Sequence, residues 1–424
     1  MSRRNFILYY LLFLIILVSW NNPNALPPLP LRILYLIGLL YPVVKNRSEY
    51  APIVLLTFIV ISTASYAVSY MPVDGLFVTL IIITCLVIGR PRSAIGIKIP
   101  GYIYALFVLM LFIDGLLSSR QYGSLSFLIY ILISRKYLNP NNDNLQHLIA
   151  FSLVIISVVL ALEFIVMGNQ FVIQINADGM DFDRKGWADP NYFGCEIGLG
   201  VMAALLELFT NNSLSKELKY ILYASIALIS FVIITTASRG AFLALSIATV
   251  IMIVFSKVKS SVKSMAVVAI SFLAAFLLYT NVAALLIARF NTNVEEMGGR
   301  TDIWQIKLST FMKTANPIEW LVGIGRDGGD NIGFFEGFHN DYAAFFVDYG
   351  ILGVLLFLMM LANPFLKSSR SMRGIVLSLV SYVALVCFSL EPFTSGYLAY
   401  FYFYLLIWIV VQNNSVVYNE QKYE

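Results

Sequence analysis

The chain has 424 residues, of which 59% are hydrophobic and 12% charged, with a mean hydropathy of +0.80 and a formal net charge of +4. That is more apolar surface than a soluble globular domain can hide, so the chain must use lipid as its solvent. The small positive excess is spread among loops and makes no basic face, which excludes a nucleic-acid partner.

Windows of about 16–22 apolar residues recur along the chain, each long enough, with some tilt, to cross a hydrocarbon layer about 30 Å thick as a helix. Strands of a membrane barrel would alternate instead. In chain order the windows predict spans near 5–21, 30–44, 52–71, 76–89, 101–119, 121–134, 147–167, 190–210, 219–237, 240–256, 264–286, 341–361, 374–390 and 396–412. The fold class is therefore all-α and polytopic. Arg3 and Arg4 precede the first apolar run, but no small-residue cleavage site follows, so this run reads as a retained first helix. Cys85, Cys195 and Cys387 lie within spans at no ligand-like spacing and read as packing residues, with no disulfide frame or metal site.

With the amino terminus in the cytoplasm, 18 of the 28 Lys and Arg residues fall on the inner side, clusters such as Lys257, Lys259 and Lys263 among them. The positive-inside rule then puts both termini inside, and the two long connections, 168–189 and 287–340, outside. The organisation follows as N-terminal helices (1–167), a first outer loop (168–189), central helices (190–286), a large outer loop (287–340), and C-terminal helices with a cytoplasmic tail (341–424). The large loop is too long to lack structure. Residues 301–313 are its best helix, with Ile303, Trp304, Ile306, Leu308, Phe311 and Met312 forming an apolar face suited to the membrane interface, before Pro317 stops it.

In this topology Arg184, Arg239, Arg300 and His339 share the outer side. Arg239 falls between two spans with almost no loop, and Arg300 follows paired glycines ahead of the amphipathic segment. Guanidinium forks match phosphate oxygens and suit a pyrophosphate leaving group, so no metal or cofactor is required. His339, with Asn340 and Asp341 beside it, stands where the long loop re-enters the membrane. An imidazole there can take a proton from an attacking hydroxyl. The other histidine, His147, reads as an interfacial helix-start residue. Glu163, Glu196 and Asp348 lie toward the outer halves of spans and are expected to pair with the arginines, whereas Asp114 and Glu207 near span ends are expected to be solvated. GIGRDG at 323–328 fits a dinucleotide-binding pattern but follows no buried strand, so its glycines are expected to serve backbone turns. Asp181-Phe182-Asp183 fits a metal-holding DxD pattern, but on a face where nucleotide sugars are not supplied.

Taken together, SRGA at 238–241, GGRTDIW at 298–304, the PxxWLVGIG pattern at 317–325, HNDY at 339–342 and YGILG at 349–353 resemble the bacterial O-antigen polymerase and ligase superfamily. The resemblance covers roughly residues 184–353. It implies a metal-independent, inverting membrane glycosyltransferase of C-type helical architecture with about 12–14 transmembrane helices. Its substrates would be glycans on undecaprenyl pyrophosphate at the periplasmic face of the inner membrane. Arg239 and Arg300 match the pyrophosphate-binding arginines, His339 the base, and Arg184 a looser match, with Asn340 and Asp341 beside the substrate. The partners implied are a lipid-linked glycan donor and acceptor, membrane lipids and a chain-length regulator. Richness in Ile, Phe, Tyr and Asn favours a polymerase, with a ligase transferring glycan to lipid A core as the alternative. A lipid-linked oligosaccharide flippase is a third reading, but it would place polar groups and broken helices near the midplane in two similar halves.

Overall fold

The computed structural model describes residues 143–166, 174–176, 179–181, 190–256, 300–333, 337–394 and 398–420, with a few isolated positions elsewhere. The spans predicted before residue 143, the span at 264–286 and Arg184 lie outside the described residues. The chain divides into two compact units, one of residues 1–96 with 133–238 and one of residues 97–132 with 239–424.

The first unit holds α1 (Asp143–Val166), α2 (Pro190–Thr210) and α3 (Lys216–Thr235), with a small antiparallel hairpin of β1 (Gln174–Asn176) and β2 (Gly179–Asp181) between α1 and α2 in sequence. Pro190 opens α2, where its missing N–H costs nothing. Ser215 caps α3 by accepting from the Leu218 N–H at 3.3 Å, and Glu217 in the first turn complements the positive end of the helix. Along α3, Leu222, Ser225, Ile229 and Val232 are buried while Tyr220, Ile221 and Tyr223 are exposed. An apolar exposed face of this kind suits contact with lipid or another apolar surface. Among the described residues of this unit the hairpin is the one pair of strands.

α1 and α2 run antiparallel, as two contacts show: Phe164 stacks on Phe193 with ring centroids 5.7 Å apart, and His147 meets Glu207 at the other end. This corrects the expectation for Glu207, while His147 stands near the start of α1 as predicted. Glu207 is fully buried, its two oxygens 2.9 and 2.8 Å from His147 Nδ1, and Asn211 Nδ2 donates to it at 3.0 Å. A carboxylate shut away from water must be hydrogen-bonded. The partner comes from 60 residues away, so only the antiparallel pairing reveals it.

The second unit holds α4 (Arg239–Phe255), α5 (Arg300–Thr314), α6 (Pro317–Val322), α7 (Arg326–Asn331), α8 (Asp341–Lys367), α9 (Arg373–Ser389) and α10 (Leu398–Glu420). α4 and α9 are antiparallel and pack through small residues, as membrane helices do when close backbone approach replaces hydrophobic driving force. A Cβ added at Gly240 would stand 2.7 Å from Ser389 Oγ, and one at Gly374 would collide with the Phe255 carbonyl. Between them, Ser378 Oγ donates to the Ala248 carbonyl at 2.5 Å. Tyr404 Oη ties α10 to α8 through the Met360 carbonyl at 2.6 Å.

The amphipathic helix predicted at 301–313 is α5, which packs differently from expectation. Phe311 is fully buried and, with Trp304 and Leu308, packs on Phe338, Ala344 and Val347, whereas Ile306 and Met312 stay exposed. Lys307 lies on the same buried side and is wholly enclosed. Its ammonium donates to the carbonyls of Gly329 and Asp330 at 2.9 and 3.1 Å and lies 4.7 Å from the Phe338 ring centre. Pro317 both follows the end of α5 and opens α6, where Asn316 and Glu319 form a reciprocal capping box.

α8 is long enough to span a bilayer, but Gly350 (φ 65°, ψ −166°) breaks it after little more than two turns. A break inside a membrane helix leaves carbonyls unpaired unless protein supplies donors. Here the carbonyls of Val347 and Asp348 accept from the N–H groups of Ile324 and Gly325, each at 3.0 Å. The GIG glycines thus serve a turn, as their context predicts. Gly323 has φ 80° and ψ −174°, conformational space that only glycine enters readily, and a Cβ there would strike the Asp348 backbone. Gly323→Ala is therefore expected to cost at least about 2 kcal/mol. Thermal unfolding in detergent should show a lowered midpoint for it and none for Gly101→Ala, where an added Cβ meets nothing within 4 Å.

Candidate active site

Arg239, Arg300 and His339 all belong to the second unit, and each stands at the start of a helix: Arg239 opens α4, Arg300 opens α5, and His339 precedes α8 by two residues. What brings them together is the end of α9. The last carbonyls of a helix lack intrahelical partners and carry the negative end of its dipole. Arg300 Nη1 donates to the Ser389 carbonyl at 2.6 Å, which answers both needs. Gly240, next to Arg239, lies against the Ser389 side chain. The N–H of Asp341 donates to the Leu390 carbonyl at 3.1 Å.

Two carboxylates clasp the segments to each other. Asp341 is fully buried: its Oδ2 accepts from the Phe393 N–H at 3.1 Å, and its Oδ1 accepts from the Thr394 N–H and hydroxyl at 2.9 and 2.8 Å. In the reverse direction, the Glu391 carboxylate accepts from the backbone N–H groups of His339 and Asn340. Trp304 Nε1 donates to the Phe338 carbonyl at 2.6 Å, and its ring meets Phe388 edge-on at 5.8 Å. Asn340 caps α8, its Oδ1 accepting from the Ala343 N–H at 3.1 Å.

Thus every residue from Phe338 to Asp341 is held by a main-chain hydrogen bond to a different element. Within that turn His339 adopts a left-handed backbone, φ 50°; the other non-glycine positive φ among the described residues is Ala237, two positions before Arg239. Such conformations cost roughly 1–3 kcal/mol each and persist where surrounding structure over-determines them, which is often at functional sites.

The geometry gives several of these residues structural partners. Asn340 and Asp341, expected beside substrate, engage their side chains in building the His339 turn. The Asp348 carboxylate lies against Gly329, beside the glycine turn. Glu163 and Glu196 are buried in the first unit. Asp181 ends β2, while Arg184 and Asp183 lie outside the described residues. Sequence reasoning passed over Ser389 and Glu391. The available signal was an acidic residue followed by proline immediately after a predicted span, in SLEPFT at 389–394.

Residues 224–358 match the family model described as O-antigen ligase, a segment that contains Arg239, Arg300 and His339 and ends before Ser389. This segment is similar to the O-antigen polymerase/ligase superfamily. Over these residues the chain is similar to O-antigen ligases, and three of its described helices are long and apolar enough to cross a membrane. No curated protein matches it.

Between this matched segment and the residues that follow it, the clasp is sensitive to pH. Burial pushes the Glu391 carboxyl up from 4.5 to about 7, aided by the nearby charges of Asp341 and Asp330 and opposed by the amides of His339 and Asn340. Because the folded value lies above the unfolded one, the folded protein binds the extra proton between these limits. Its contribution to stability is complete below pH 4.5 and is lost as pH rises to about 7. Glu391→Gln should flatten the dependence of the thermal midpoint on pH across this window, measured beside wild type in the same buffers; a parallel shift with unchanged slope would contradict the assignment.

Proposed function

We propose that the protein polymerises oligosaccharide repeat units carried on undecaprenyl pyrophosphate, forming O-antigen or a related surface polysaccharide at the periplasmic face of the bacterial inner membrane, with both termini in the cytoplasm. The observation that supports this most is the convergence of the Arg239 helix start, Arg300 and the His339 turn on one end of α9, with all three residues inside the matched segment.

A guanidinium carries five N–H donors, so Arg300 can hold Ser389 and still offer a fork to an anion. In the proposed step the acceptor sugar hydroxyl attacks the anomeric carbon of the donor, the bond from that carbon to the pyrophosphate oxygen breaks, and the hydroxyl proton passes to the His339 imidazole. Undecaprenyl pyrophosphate leaves with its new negative charge facing Arg239 and Arg300. Attack opposite the leaving group inverts the anomeric configuration. Charge stabilisation of the leaving group is the larger contribution, since losing one such donor typically costs about 10²–10³-fold, and general-base assistance adds about 10²–10⁴-fold. Arg184 extends the cationic set to a second loop in this reading.

Transfer to lipid A core, the ligase reading, is favoured by the description of the matching family and needs the same donor chemistry. Surface-polysaccharide gels of a deletion strain separate the two: core carrying a single repeat unit marks a polymerase, core alone a ligase. With the purified protein and lipid-linked repeat units, Arg300→Ala should abolish product while protein remains in the membrane. His339→Asn, which tolerates the left-handed backbone but is a poor base, should lower turnover by about 10²-fold or more. Normal product from either variant would remove that residue from the reaction.

A further inference from the structure

Glu391 lies beyond the matched segment and outside the motifs that carry the family resemblance. Its side chain comes from the turn that follows α9, is 8% exposed, and leaves Oε1 without a hydrogen-bond partner among the described residues. Gly337 makes room for it: a Cβ at that position would stand 3.1 and 3.2 Å from the two carboxylate oxygens. What the carboxylate holds is the backbone of His339 and Asn340. Removing a carboxylate from water is unfavourable, and two neutral amides compensate only in part. A residue needed merely to fill space at the end of α9 would do so better as an apolar side chain.

The conformation at His339 supplies the reason for a charged group. Left to itself, residue 339 would avoid positive φ, and the direction of its side chain would change with its backbone. Hydrogen bonds from the N–H groups on either side of the His339 α-carbon to the Glu391 carboxyl hold it against that tendency. Asp341 cannot substitute, because its oxygens accept from Phe393 and Thr394 on the opposite strand of the clasp.

We infer that Glu391 is a positioning residue for transfer: it fixes the left-handed turn that aims the His339 imidazole, and it acts on the reaction through that ring alone. The inference rests on the reaction proposed above, with His339 as the group that receives the acceptor proton. Glu391 touches no reacting atom in this assignment.

The test is a double-mutant cycle with wild type, Glu391→Gln, His339→Asn and the double variant, using purified full-length protein and undecaprenyl-pyrophosphate-linked repeat units. Glu391→Gln should lower kcat by about tenfold with an unchanged KM for the donor, and should have no further effect in the His339→Asn background. Gly337→Ala, which presses a methyl group on the same carboxylate, should lower kcat by a smaller factor of about three and likewise lose its effect beside His339→Asn. In the same samples, hydrogen–deuterium exchange should accelerate in peptides covering 337–342 and stay unchanged elsewhere in the second unit. An unaltered kcat for Glu391→Gln, a further fall in the double variant, or unaltered exchange at 337–342 would each overturn the inference. Should wild type transfer no glycan at all, the proposed reaction fails while the exchange measurement still decides whether Glu391 holds the turn.

Discussion

The reciprocal clasp between residues 338–341 and 389–394 is the constraint on which the candidate site depends. Asp341 reaches one way to the amides of Phe393 and Thr394, and Glu391 reaches the other way to those of His339 and Asn340. Main-chain groups at the ends of membrane helices must find partners, because lipid offers none. Here the groups at the end of α9 and those at the start of α8 satisfy each other. The same bonding that solves this problem also sets where the imidazole stands and brings Arg300, through Ser389, to the same place.

A second constraint concerns α8. Its break at Gly350 frees the carbonyls of Val347 and Asp348, and the 323–325 turn takes them up. The short helices α6 and α7 are thereby anchored to α8, and Lys307 adds a further tie by holding the carbonyls of Gly329 and Asp330 from inside the packed cluster. Residues 315–333 are thus not a loose loop. A site that must fix a sugar diphosphate on several side chains gains accuracy from such bracing, because misplacement by about 1 Å is costly to catalysis.

Exposure also separates the faces of these helices by role. On α3 the large exposed side chains Leu218, Tyr220, Ile221 and Tyr223 are fit for an apolar environment, while the contacts between α4 and α9 use Gly240, Ala248, Gly374 and Ser378, fit for close backbone approach. Small side chains let Arg239 approach the end of α9 without a bulky residue intervening.

By itself, the sequence determined the membrane class, the helices at 190–210 and 240–256 almost to the residue, the amphipathic helix after Arg300 and the turn role of the 323–325 glycines, and it singled out Arg239, Arg300 and His339 as candidates. These are legible because hydropathy windows, caps, glycine pairs and lone cations leave local marks. Only the tertiary structure decided that Asn340 and Asp341 build the turn, that Glu207 finds His147, that Lys307 is enclosed, and that Ser389 and Glu391 belong beside His339. Each of these depends on which main-chain groups a helix end leaves unsatisfied and which distant segment arrives to meet them, and no local pattern of residues encodes that arrival.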